Sequence, residues 1–147
     1  MLIIILILIT IFPNSNTLLI ESFIGCSGEY IIYTNESYIE DNSVMACDNF
    51  DGQICRVDIK EYKDLIYRIP YISSEKIVLY EYNFKDIISM LNLTIKEIVT
   101  VYDGLILYNC YTNKLPRFVS SNIGKINIQI AVSDSEINIG YPILVDY

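Results

Sequence analysis

Histidine is missing from this 147-residue chain. Without an imidazole, neither a Ser-His-Asp nor a Cys-His arrangement can be assembled within it. Zinc loses its usual nitrogen ligand, and no C-x-x-C pair supplies the thiolate spacing it favours. Alanine is almost absent, which removes the best helix former. Positive charge is scarce as well: ten Lys and Arg stand against eighteen Asp and Glu, a net charge of -8. Glu29, Glu36, Glu40, Asp41, Asp48 and Asp51 all precede the first basic residue, Arg56. Such a balance repels phosphate backbones and sulfated polysaccharides, so nucleic acid is not an expected partner. Carboxylates are plentiful, but no spacing sets two of them apart as a general acid and base. A non-catalytic protein is expected.

What the chain has in quantity is Ile, Leu, Val and Tyr, residues that fit a pleated, half-buried surface. Its length suits one domain with a core of its own. The expected class is therefore all-β. The thirteen tyrosines fit the boundary layer of such a fold, where an apolar ring is buried and the hydroxyl stays wet.

Leu2 to Phe12 is an unbroken apolar run, followed by Pro13-Asn14-Ser15-Asn16-Thr17. That length matches the apolar core of a secretory leader and is short for a membrane span. Small residues at Ser15 and Thr17 flank a cut after Thr17, so residues 1–17 read as a signal peptide. A mature chain without a membrane span is expected outside the cell. Export makes disulfides plausible among Cys26, Cys47, Cys55 and Cys110, with three connectivities open. Two N-glycosylation sequons, at Asn35 and Asn92, fit the same compartment.

The C-terminal half carries the most order. Glu97 to Tyr102 alternates and runs into Asp103-Gly104, a tight-turn dipeptide. Lys125 to Val132 alternates more strictly: Ile126, Ile128, Ile130 and Val132 fall on one face, Lys125, Asn127 and Gln129 on the other. Lys85 to Lys96 is the one segment with helical spacing, through Ile87, Ile88, Leu91 and Leu93. The succession Val99, Val101, Tyr102, Asp103, Gly104, then Cys110, Pro116, Ser120, Ser121, Asn122, then Ser133, Asp134, Gly140 and Tyr141 resembles a CUB domain.

That resemblance covers residues 26–147 and implies a two-sheet antiparallel β-sandwich of the jelly-roll kind. Val99, Val101, Ile126, Ile128 and Ile130 are then expected between the sheets. Gly28 to Tyr38 resembles the family's opening strand, and Asp41 to Asp51 an insertion. Leu65 to Pro70 occupies the place of a strand, with Tyr67 and Ile69 on its aromatic and aliphatic positions and Leu65 in place of a cysteine. In the next strand Glu81 falls where the family has a core aromatic, and a one-residue slip placing Val78, Tyr80, Tyr82 and Phe84 inward is expected. The family's calcium site implies Asp86, Glu97 and Asp134 as ligands, although Ile87 stands where its first carboxylate would fall. By the same resemblance the partner is an extracellular protein presenting a basic residue. A single-domain, spermadhesin-like carbohydrate-binding module is the alternative.

Overall fold

A computed structural model of the chain describes residues 18–39, 44–49, 52–102 and 104–143. Residues 1–17, on which the expected leader falls, Asp103 and residues 40–43 of the segment joining β1 to β2 lie outside these residues. The described residues form ten strands: β1 Gly28–Thr34, β2 Met45–Asn49, β3 Gly52–Asp58, β4 Ser74–Leu79, β5 Thr94–Tyr102, β6 Leu105–Tyr111, β7 Val119–Ser121, β8 Gly124–Ile126, β9 Ile128–Val132 and β10 Ile137–Tyr141. The described residues also form two short helices, α1 Tyr62–Arg68 and α2 Phe84–Leu91, and 3-10 turns at Leu19–Phe23 and Ile59–Glu61. The mostly β class expected from the composition is what forms.

Eight strands hydrogen-bond as one sheet in the order β2-β3-β1-β4-β10-β9-β6-β5, and β7 and β8 form a separate hairpin. Each neighbouring pair is antiparallel. One face of the large sheet carries the main core. Tyr30, Ile32, Cys55, Val57, Ile77, Leu79, Ile130 and Ile139 pack there with Leu19, Ile20 and Phe23 of the 3-10 turn, Tyr62 and Leu65 of α1, and Ile87 and Leu91 of α2. β4 is flanked by β1 and β10, and all six of its residues are buried.

The local reasons are legible. Asn83 caps α2, its side chain accepting from the Lys85 N–H at 2.9 Å. The helix ends at Asn92, which takes a left-handed conformation, φ 50°, that asparagine tolerates. Gly52 has φ 152°, and a Cβ there would stand 1.8 Å from the Thr34 carbonyl oxygen, so the β2–β3 turn requires glycine.

Several expectations are corrected. Leu65 to Arg68 belongs to helix α1, not to a strand. Tyr62 and Leu65, three residues apart, face the core while Tyr67 is 84% exposed. The helix stops at Ile69, which Pro70 biases toward extended backbone. The register slip does not occur: Ile77 and Leu79 enter the main core, and Val78 packs with Ile31 and Tyr33 on the opposite face. β4 ends at Leu79, so Glu81 lies exposed in the turn beyond it and no slip is needed to spare a carboxylate. Val99 and Val101 are each 37% exposed, whereas Ile126, Ile128 and Ile130 are buried as expected.

Asn127, expected on the wet face, is fully buried between β8 and β9. Its Oδ1 accepts from the Thr112 N–H at 2.9 Å, and its Nδ2 donates to the carbonyls of Thr112 and Leu115 at 2.8 and 3.0 Å. Replacing it with alanine strands those three backbone groups. Asn127→Ala should therefore lower unfolding stability by about 2–4 kcal/mol in a urea titration. A loss below about 0.5 kcal/mol, the range of an ordinary surface substitution, contradicts this role.

Candidate functional site

The three residues implied as calcium ligands do not meet. Asp86 is exposed in the first turn of α2. Glu97 lies on β5, opposite Asn109 of β6, whose Nδ2 donates to Glu97 Oε2 at 2.7 Å. Asp134 sits in the β9–β10 turn, level with Gly104 at the start of β6. Gln129 pairs with Asn109 and β9 runs on to Val132 before the turn that holds Asp134, so at least three residues of extended strand, about 10 Å, separate the levels of Glu97 and Asp134. One calcium ion needs its oxygens within about 2.3–2.6 Å. Among the described residues no group of three or more Cys, Asp or Glu is disposed to hold a metal. Asp134 instead borders a recess lined also by Tyr80, Tyr82, Phe84, Ser133 and Glu136, while the Asp86 charge acts on the Tyr82 hydroxyl. Tyr80 donates to Glu29 at 2.6 Å, and that bond holds its hydroxyl proton more firmly than usual.

Asn35 and Asn92, the two sequon asparagines, are both exposed, one beyond β1 and one at the end of α2. Cys26, Cys55 and Cys110 are free thiols. In the β2–β3 ladder Cys55 pairs with Ala46, and Cys47 with Ile54, so the ladder does not set those two cysteines opposite each other. Burial pushes the Cys110 thiol up to about 12, while Cys26 is half-buried beside the Tyr82 hydroxyl.

Two features escaped the sequence reading. The first is Glu75, a carboxylate with no exposed surface on the central strand. Its Oε2 accepts from the Leu19 N–H at 3.0 Å, and its Oε1 from the Ile20 N–H at 3.3 Å and the Tyr30 hydroxyl at 2.9 Å. Burial raises its pKa; the three hydrogen bonds and the Arg117 charge only partly offset that. Arg117 itself donates to the carbonyls of Ile72 and Ser73 and lies 4.7 Å over the Tyr141 ring. The ion pairs among described residues, Arg56–Glu29 and Lys60–Asp58, do not include Glu75. No periodicity marks this residue, because β4 is buried on both faces and offers no alternation.

The second is β5. Among the described residues it closes one edge of the large sheet and pairs with β6 alone, and all nine of its residues are exposed. Ile95, Ile98, Val99, Val101 and Tyr102 are 37–64% exposed. Irregularities between Ile95 and Glu97 and between Thr100 and Tyr102 bracket a regular run over Glu97–Thr100. Exposed alternating residues resemble a half-buried strand in sequence; only the strand order reveals that one side of β5 is open.

No family model, curated protein or solved structure matches the chain. Among the described residues no helix is long and apolar enough to cross a membrane.

Two measurements check this geometry. The melting temperature should respond no differently to millimolar calcium than to magnesium, and Asp134→Asn should change neither response. A calcium-selective rise lost in that variant contradicts the separation of the carboxylates. Iodoacetamide near neutral pH should label Cys26 in the native protein and spare Cys55 and Cys110 until denaturant is added. Native labelling of Cys110 contradicts its burial.

Proposed function

We propose that this chain is a non-catalytic extracellular recognition module, CUB-like and sandwich-like in its packing, that binds an extended segment of another protein along the open edge of β5. The observation that carries the reading is the exposure of nine consecutive strand residues, five of them large and apolar, at an edge of the main sheet. Long apolar edges are normally covered, shortened or charged, because their free N–H and C=O groups accept a further strand. An added strand gains main-chain hydrogen bonds and places alternate side chains on the neighbouring surface. Here the two irregularities limit such pairing to the run centred on Ile98 and Val99. The chain's net charge of -8 favours a basic partner segment. The absence of histidine leaves hydrolytic triads without their base. Export, on this reading, follows from the apolar run and small residues before Leu18.

Ile98 is 59% exposed, so Ile98→Lys should leave the melting temperature within about 2 °C, as for a surface substitution. It should weaken capture of the partner from extracellular medium at least tenfold. Unchanged capture by Ile98→Lys rules out the edge. One observation favours a second reading, a sugar-binding module: the recess between α2 and the β9–β10 turn sets three aromatic rings beside two carboxylates. A glycan array run in parallel separates the two, since binding that survives Ile98→Lys and fails in Tyr82→Ala belongs to the recess.

A further inference from the structure

The Glu75 carboxylate holds the backbone just after Leu18, where the described residues begin. Both its oxygens are taken up by the backbone of residues 19 and 20, at 3.0 and 3.3 Å. The chain enters that contact through Leu18, whose backbone is extended, φ -91° and ψ 146°. Leu18 is also the residue that the small-residue pattern of Ser15 and Thr17 would leave first after a leader is cut. The two lines meet at adjacent nitrogens: that of Leu19, which Glu75 already holds, and that of Leu18 just before it.

We propose that Glu75 is the internal receptor for the α-ammonium group created at Leu18, so that removal of the leader completes a buried ion pair and locks the N-terminal turn onto the sheet. This rests on the export reading above. A leader peptidase hydrolyses the Thr17–Leu18 bond with one water. The water's hydroxyl joins the Thr17 carbonyl carbon, its hydrogen joins the Leu18 nitrogen, and the new carboxyl proton passes to the amine, leaving a carboxylate and an ammonium. Before the cut, the Leu18 nitrogen is an amide and carries no charge. Afterwards a full positive charge stands one residue from the Leu19 N–H that already meets Oε2. A hydrogen bond between two ionised groups is shorter and stronger than one from a neutral amide.

The surroundings suit such a pair. A buried carboxylate is costly unless it is paired and hydrogen-bonded, and the existing contacts supply the second condition more fully than the first. The charged and titratable groups around Glu75 are Tyr30 from β1, Arg117 from the loop before β7, and Glu21, exposed on the 3-10 turn and acting on Tyr30. The Arg117 guanidinium is committed to two carbonyls and the Tyr141 ring. Tyr30 is held neutral, its pKa raised well above the usual tyrosine value by burial and by Glu75. The new ammonium adds a titrating group beside Glu75, whose own pKa burial raises. An α-amino group titrates at about 7.7–8.0 in an unfolded chain. The carboxylate raises that value in the folded protein. Its stabilisation is therefore present in full below the unfolded value and is lost as pH rises through the folded one.

The test compares two proteins: one beginning at Leu18 with a free amine, prepared with a site-specific protease, and one carrying a short Gly-Ser extension before Leu18. At about pH 6.5 the free-amine chain should melt at least about 4 °C higher, and the gap should close by about pH 10, where the amine is neutral. Glu75→Gln should erase the gap at both pH values. Should that variant fail to fold, the two wild-type chains and their pH dependence still decide the matter. Equal melting temperatures at pH 6.5 overturn the pairing, whatever the cell does with the leader. Intact mass of the protein recovered from the medium of cells expressing the full chain tests the processing. A first residue of Leu18 supports the proposal. A different first residue in secreted protein overturns it while leaving export standing, and retention in the cell with the leader attached overturns both.

Discussion

The fold depends on one buried carboxylate. Glu75 lies in the middle strand of the sheet, and its two oxygens collect the backbone of Leu19 and Ile20 and the hydroxyl of Tyr30. Those contacts bring Leu19, Ile20 and Phe23 over the sheet, where they join the main core against β1, β4 and β10. Without an acceptor in β4, the first turns of the chain would bury N–H groups with no partner, a cost of about 1–3 kcal/mol each. A carboxylate serves better than an amide because it offers two acceptors and needs no donor placed opposite it.

The same device recurs at smaller scale. Gln53 of β3 holds the segment after β1 through the N–H groups of Tyr38 and Ile39 and the carbonyl of Ile39. Asn127 holds the loop that leads from β6 to β7. In each case a buried polar side chain on a strand closes the hydrogen bonds of an irregular segment. A domain whose described cysteines are free thiols fastens its loops in this way, by side-chain hydrogen bonds rather than by covalent links. The arrangement leaves β5 out. Among the described residues it is anchored through β6 and by the run of bonds from Glu97 through Asn109 to Gln129. It is an edge strand whose nine residues are all exposed, which is why recognition is proposed there.

Much of this architecture was readable from residue type and spacing. Composition announced the β class, the spacing of Ile87, Ile88 and Leu91 announced α2, and the alternation of Ile126, Ile128 and Ile130 announced a buried face. Errors arose where one pattern admits two structures. Tyr62 and Leu65 satisfy a helix, yet the family resemblance read the following residues as a strand. Val99 and Val101 alternate as a half-buried strand does, but strand order puts them at an edge. Asn127 counted as polar and therefore wet, although its partners lie twelve and fifteen residues away in sequence, beyond any local pattern. Glu75 was invisible for the same reason: its meaning lies in a contact across more than fifty residues. The implied calcium ligands failed to converge because likeness in sequence order does not fix which end of a sheet a loop occupies.

Native-state hydrogen exchange of the Leu19 and Ile20 amides tests the central claim most directly, because exchange reports the free energy of opening at a single N–H. If Glu75 fastens the first turn to the sheet, both amides exchange as slowly as those of Ile77 and Leu79 in β4. In Glu75→Ala they lose that protection, while the sheet amides keep theirs relative to the variant's own stability. Exchange of Leu19 and Ile20 at the rate of an open loop in the wild-type protein would contradict the account.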